Sequence, residues 1–198
     1  MPAVDPEVAG RITQAVIDLI ESEGVDDIQL GDVARRARVS LSTIYKAFAP
    51  ADRAGLRAAL VFAAVEEWMS VNVYSRLTNP PYDDPWPDAL VWLYRQLFEP
   101  WEANPNLAAA FIQARIGVRG ARLEVQGQDA AEPIARRIVN GLEPAQRDAV
   151  LLMLDHVVHS MFFRVATGQV PVAAIRPAME DTIRRLAAGR TVRGRLRA

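Results

Sequence analysis

No cysteine occurs in the 198 residues, so a disulfide framework, a thiolate metal site and a cysteine nucleophile are all excluded, and a reducing cytosol is the natural setting. Lysine is nearly absent, with Lys46 alone, and His156 and His159 are the only histidines. No apolar run is long: the longest, residues 58–65, falls far short of the ~20 residues a membrane span requires. With no basic-then-apolar leader either, a cytoplasmic chain without membrane association is expected. Strand punctuation is missing too, since no Asn-Gly or Asp-Gly pair separates alternating β-branched runs. There is no glycine-rich phosphate loop and no serine beside a plausible base, so neither an enzyme nor a cofactor is expected.

Apolar types make up 51% of the sequence and charged types 24%, the balance of a globular protein and not of a disordered one. The net charge of −1 hides an uneven distribution. Arg35, Arg36, Arg38, Lys46, Arg53 and Arg57 face only Asp52, whereas the stretch from Asp5 to Asp32 carries eight acids against Arg11 alone. That reversal of sign is either a solvated helical surface or the footprint of a small face that touches phosphates.

Helical periodicity runs through the whole chain. Val8, Ile12, Ala15, Val16, Leu19 and Ile20 repeat at three and four residues and predict a helix over 6–23, stopped by Gly24. Leu30, Val33, Ala34 and Ala37 mark a short second helix. Ser40 is a good N-cap for a third, whose buried side is Ile44 and Phe48, and Pro50 closes this unit. Helices are expected over 53–75 and 86–103, the second kinked or interrupted before Pro100, with a loop at 79–85 between them. Another follows from Asn104-Pro105 to near Gly117. Gly120, Gly127 and Gly141 bracket one over about 130–140. Pro144 and Gly168 delimit a long one, and the last lies around Pro177 and ends at Gly189. The expectation is an all-α chain of about nine helices: an N-terminal three-helix domain (1–52), a C-terminal helical domain (53–189) and a frayed basic tail (190–198).

Helices two and three have the rhythm of a helix-turn-helix. A small residue, Ala34 or Ala37, packs against the third helix, and Ile44 with Phe48 anchors it. Its solvent side holds Leu41, Ser42, Thr43, Tyr45, Lys46 and Ala47, with hydroxyls and a cation suited to phosphates and apolar groups suited to a thymine methyl.

The pattern Ile12-x-x-Ala15-x-x-Leu19, Gly24, Leu30-x-Asp32-Val33-Ala34-x-x-Ala37-x-Val39-Ser40-x-x-Thr43-Ile44-Tyr45-Lys46-x-Phe48 resembles the N-terminal domain of the TetR family of transcriptional regulators over about residues 8–60. The resemblance implies a homodimer that places two recognition helices in a palindromic double-stranded operator and is released by a small molecule in the C-terminal domain. Carried over by position, it implies DNA contacts from Arg38, Leu41, Ser42, Thr43, Tyr45, Lys46 and Arg53. Two departures stand out. Arg38 replaces the usual turn glycine, so either the turn is reshaped or a positive φ costing about 1 kcal/mol is tolerated. Leu41 and Ala47 occupy positions often polar and point to apolar or shape-based reading of bases.

In the C-terminal half, aromatic residues crowd together in the sequence. The resemblance implies that some of them, with neighbouring residues, line an apolar effector cavity: Trp68, Trp86, Trp92, Phe98, Trp101, Phe111, Arg115, His159, Phe162 and Phe163. The default role of such rings is core. Arg115, Arg119 and Arg122 are read as solvated charges or as partners for an anionic ligand group. The helix over 144–167 is apolar nearly all round, so Met153, Val157 and Met161, with Ile175, Met179 and Ile183 of the last helix, are expected at a four-helix dimer seam. His156 and His159 follow Asp155 with no evident fourth ligand and are read as a polar strip, not a metal site. Ile28-Gln29-Leu30 and Asn104-Pro105-x-Leu107 look like the cholesterol-catabolism repressors of this family, which implies a steroid or acyl-thioester effector. The competing reading is an all-α carrier or enzyme for hydrophobic ligands that binds no DNA.

Overall fold

The Asp5 side chain accepts the Glu7 amide at 2.9 Å, Pro6 follows at the first helical position, and Gly24 stops the helix with φ 89° while donating its amide to the Ile20 carbonyl. These caps satisfy amide and carbonyl groups that a helix end otherwise leaves bare. They set α1 at Pro6–Glu23. The computed structural model describes residues 5–48, 53–117 and 119–195, with the side chains of residues 53, 54 and 189–195 outside that description. The described residues are all-helical. After α1 come α2 (Leu30–Ala37), α3 (Leu41–Phe48), α4 (Arg53–Asn72), α5 (Trp86–Ala103), α6 (Pro105–Ile116), α7 (Gly120–Ile138), α8 (Pro144–Ala166) and α9 (Ile175–Arg195), with short 3-10 turns at Tyr74–Arg76 and Val172–Ala174.

Three expected boundaries move, and α5 keeps its expected span. The fourth helix ends at Asn72 and gives way to the Tyr74–Arg76 turn. Helix α5 is not interrupted at Pro100 but continues to Ala103, with the proline buried in its last turn. Helix α7 starts at Gly120 and passes through Gly127, expected to bracket it, and through Pro133. A Cβ at position 127 would stand 3.4 Å from the Tyr74 hydroxyl, in ordinary contact. The last helix passes Gly189 and runs to Arg195, while Pro177 sits harmlessly in its first turn. Pro50 and residues 196–198 of the basic tail lie outside the described residues.

The chain forms two compact units. Unit 1 comprises Met1–Asn72 and Asn104–Glu124, so by packing it reaches beyond the three-helix segment 1–52 and takes in α4 and α6. Its core joins Ile12, Val16 and Ile20 of α1 to Val33 of α2, Ile44 of α3, Leu56 and Leu60 of α4 and Leu107 of α6, all essentially without exposure. Each large aliphatic side chain so buried contributes roughly 1.5–3 kcal/mol. The loop between α1 and α2 is fixed from both sides. Arg57 Nη2 donates to the Val25 and Asp26 carbonyls at 2.6 and 2.8 Å, and Gln113 donates to the Asp26 carboxylate at 3.1 Å.

Unit 2 comprises Val73–Ala103 and Val125–Ala198. Here α9 packs against α5 and α8, burying Ile175, Met179 and Ile183 with Leu90, Leu93 and Leu154. Along the rim, Arg95 Nε meets Glu180 at 2.9 Å, and Arg176 meets Glu102 at 2.9 Å and Glu180 at 3.3 Å. Helix α8 is the one described helix long and apolar enough to cross a membrane, although no uninterrupted apolar run announces it. Val150, Leu154 and Met161 are nonetheless packed inside unit 2, and Asp148, Asp155 and Arg164 punctuate its length.

Candidate functional site

The turn between α2 and α3 keeps helix-turn-helix geometry with arginine in the glycine position. Arg38 adopts φ 54° and ψ 48°, its amide donates to the Arg35 carbonyl at 3.3 Å, and the Val39 amide reaches back to the Ala34 carbonyl at 3.0 Å. That closure is the left-handed C-cap a glycine normally provides. The turn is therefore not reshaped; the strain is carried by Arg38.

Ser40 then starts α3, its hydroxyl accepting the Thr43 amide at 3.1 Å and lying 2.8 Å from both the Ser42 and Thr43 hydroxyls. Ile44 is fully buried and holds the helix against the unit 1 core. Phe48, read as its fellow anchor, is only half-buried in the final turn. Arg38, Leu41, Ser42 and Lys46 are exposed, with Leu41 at 43%, while Thr43 and Tyr45 are half-buried. Arg53 begins α4, but its side chain lies outside the described residues.

The basic footprint is smaller than the sequence implies. Arg35 pairs with Asp32 one turn earlier, and Arg57 is engaged by the α1–α2 loop. Among the described residues Arg36, Arg38 and Lys46 make no ion pair, and these exposed cations remain for an external anion.

The aromatic and neighbouring residues expected at an effector cavity divide between the units. In unit 1, Trp68 and Phe111 are buried and Arg115 reaches Glu124 at 3.2 Å. In unit 2, Phe98 is buried and lies 6.1 Å from the parallel Tyr94 ring and 5.9 Å from the tilted Phe162 ring, distances at which aromatic pairs attract. Trp101 is also buried there, and Trp86 and Trp92 are half-buried. Phe163, on α8, is 64% exposed.

Burial, and secondarily the Asp155 carboxylate, pushes the Tyr94 phenol well above its ordinary range. Burial does the same to Tyr74, whose hydroxyl has no hydrogen-bond partner among the described residues; the Gln126 Oε1 is orphaned likewise. Buried polar atoms left unpaired are rare and point to a guest or to function. Nothing in the local sequence marks these two. His156 Nδ1 lies 2.7 Å from the Leu152 carbonyl, and His159 Nδ1 lies 2.9 Å from the Asp155 carbonyl and 3.3 Å from its carboxylate. Each ring is thus tied to the preceding turn. Among the described residues no three histidine, aspartate or glutamate side chains gather as a metal site would require.

Residues 85–186 match the family model described as tetracyclin repressor-like, C-terminal domain. The chain belongs to the TetR family. In fold this TetR-family chain is similar to a TetR-family transcriptional regulator from Streptomyces coelicolor, with TM-score 0.68 and 16% identity over 93% of this chain and 82% of that one. It is similar also to a TetR-like transcriptional regulator from Rhodococcus sp. RHA1, with TM-score 0.58 and 14% identity over 96% of this chain and 99% of that one. A second TetR regulator from Rhodococcus sp. RHA1 gives 0.54 and 19% over 92% and 96%. No curated protein matches the chain.

Of the residues expected at a dimer seam, four are buried within the chain. Met161, Ile175, Met179 and Ile183 are at most 6% exposed and fill this TetR-family chain's own unit 2 core. On α9 the spacing of four from Ile175 through Met179 to Ile183 packs the helix on α5 and α8. Val157 is half-buried. Met153 is 48% exposed, and α8 also presents Leu152 at 59% beside it.

Proposed function

We propose that this TetR-family chain is a cytoplasmic, ligand-responsive transcriptional regulator. As a homodimer it reads a palindromic operator through α3, and a small apolar effector releases it. The observation that carries the DNA half is the capped α3: Arg38, Leu41, Ser42 and Lys46 project from a helix seated by Ile44, with Arg36 and Arg38 unpaired beside it. Lys46 and Arg38 take phosphates, the half-buried Thr43 and Tyr45 hydroxyls bond the backbone, and Leu41 with Ser42 meets base edges. Arg53 adds a phosphate contact from the start of α4. The effector half is supported by the clustered Tyr94, Phe98 and Phe162 rings of unit 2, an apolar surface, and by the orphaned Tyr74 and Gln126 atoms of the same unit, which a guest's polar groups would satisfy. A steroid or acyl-thioester suits such a lining.

The test is an electrophoretic shift with DNA flanking the gene, repeated across salt. One palindrome should bind with log K falling against log salt by roughly 0.9 per phosphate contacted. Tyr45→Ala should weaken operator and non-operator binding alike. An absent or salt-insensitive shift would favour a hydrophobic-ligand carrier instead.

A further inference from the structure

Unit 1 has a cleft of about 600 Å³ that the reading above does not use. It opens between the α1–α2 loop at Val25 and Asp26, the first half of α4 and the end of α6. Its apolar wall comes from Val25, Ala58, Val61, Phe62 and Ala114. Its polar rim is unbalanced in charge: Arg57 and Arg119 face it with Asp26 as the only acid.

The states of these charges differ. Asp26 is occupied by Gln113 at 3.1 Å and lies 3.9 Å from Arg57. Arg57 uses Nη2 on the loop carbonyls, and its other guanidinium donors make no bond among the described residues. Arg119 is exposed and has no ion pair among the described residues, unlike its neighbours Arg115, which holds Glu124, and Arg122, which holds Glu66 at 2.8 Å beneath the Phe62 ring. Two guanidinium groups against one carboxylate leave the rim with a surplus of one positive charge. The volume falls within the range of small-molecule sites, and an apolar wall with a few convergent polar groups is their usual make-up.

We propose that this cleft is a second small-molecule site, separate from the effector space of unit 2, for a monoanionic amphiphile: a carboxylate on an aliphatic tail. The carboxylate pairs with Arg119 and with the unused edge of Arg57, a planar fork suited to two oxygens. The tail lies on Phe62, Val61 and Ala114. Asp26 disfavours a dianion, because the second charge would meet a carboxylate and not a guanidinium.

Isothermal calorimetry on the full chain with decanoate, below its micellar range and without DNA, tests the site independently of the operator reading. Arg119→Gln removes an exposed charge and Ala58→Phe fills the cleft from an exposed position, so neither touches the core. Each should weaken decanoate binding at least tenfold, and decan-1-ol, with the same tail and no charge, should bind the unaltered chain at least tenfold more weakly than decanoate. Decanoate held in the apolar space of unit 2 would be indifferent to both substitutions, and that result overturns the assignment. So do equal affinities for decanol and decanoate, and so does an absence of decanoate binding.

Discussion

Arg38 pays in backbone strain for a place at the edge of α3. Its φ of 54° lies in the left-handed region, which costs a side-chain-bearing residue on the order of 1 kcal/mol. Arg38→Gly should therefore raise the urea midpoint, by at most about 1 kcal/mol of stability because glycine also loosens the unfolded chain. If the guanidinium meets a phosphate, the same substitution should weaken DNA binding and lower the salt slope by roughly 0.9 for each phosphate no longer touched; a more stable variant with an unchanged slope would remove Arg38 from the interface. The arginine in place of the turn glycine was visible in the spacing of the motif, but which way the turn would resolve it was not. Likewise, Asp32 three residues before Arg35 is a readable helix pair. The Arg57 bonds to carbonyls 31 and 32 residues away are not local and leave no mark in the sequence.

Helix ends were legible where side chains make them. Asp5-Pro6 and Gly24 bound α1 at the expected residues, and Ser40 caps α3 as its hydroxyl predicts. Ser40→Ala should cost about 1 kcal/mol of stability in chemical denaturation. It should also free the Ser42 and Thr43 hydroxyls from their shared partner. The first half of α7 was illegible because Gly127 argues locally for a break that the helix does not make. The pairing of α9 with α5 is equally non-local. A hydrogen bond from Arg95, opposed by partial burial, holds the Glu180 carboxyl below the usual carboxylate range. A depressed folded-state value stabilises the protein above the unfolded value of about 4.3, and the contribution is lost as pH falls through the lower folded value. The stability gap between the unaltered chain and Glu180→Gln should thus be constant from about pH 6 to 7 and close progressively below pH 4.3. A gap that does not narrow at all as pH falls below 4.3 would mean that packing, not charge, is what glutamine disturbs.

For the whole molecule, the nine helices of the described residues could be read from periodicity, and the family from the resemblance of the motif at Ile12 to Phe48. The surface that the stripe of α9 covers in its own chain could not, since an apolar stripe looks the same whether it meets its own chain or another. What α8 leaves outside is Leu152, Met153 and Phe163, between 48% and 64% exposed. In the proposed homodimer Met153 meets the second copy, so Met153→Asp should shift the chain toward monomer in sedimentation while its helical circular dichroism is kept. For the unaltered protein, the melting temperature should rise with concentration, because association stabilises only the folded form. A melting temperature independent of concentration, together with a monomeric wild type, would rule the dimer out. Bare apolar side chains on a lone copy also favour aggregation. Under the proposed pairing, the outer face of α8 therefore sets a floor on abundance: in a cell holding too few copies, solubility, folding and operator occupancy would decline together.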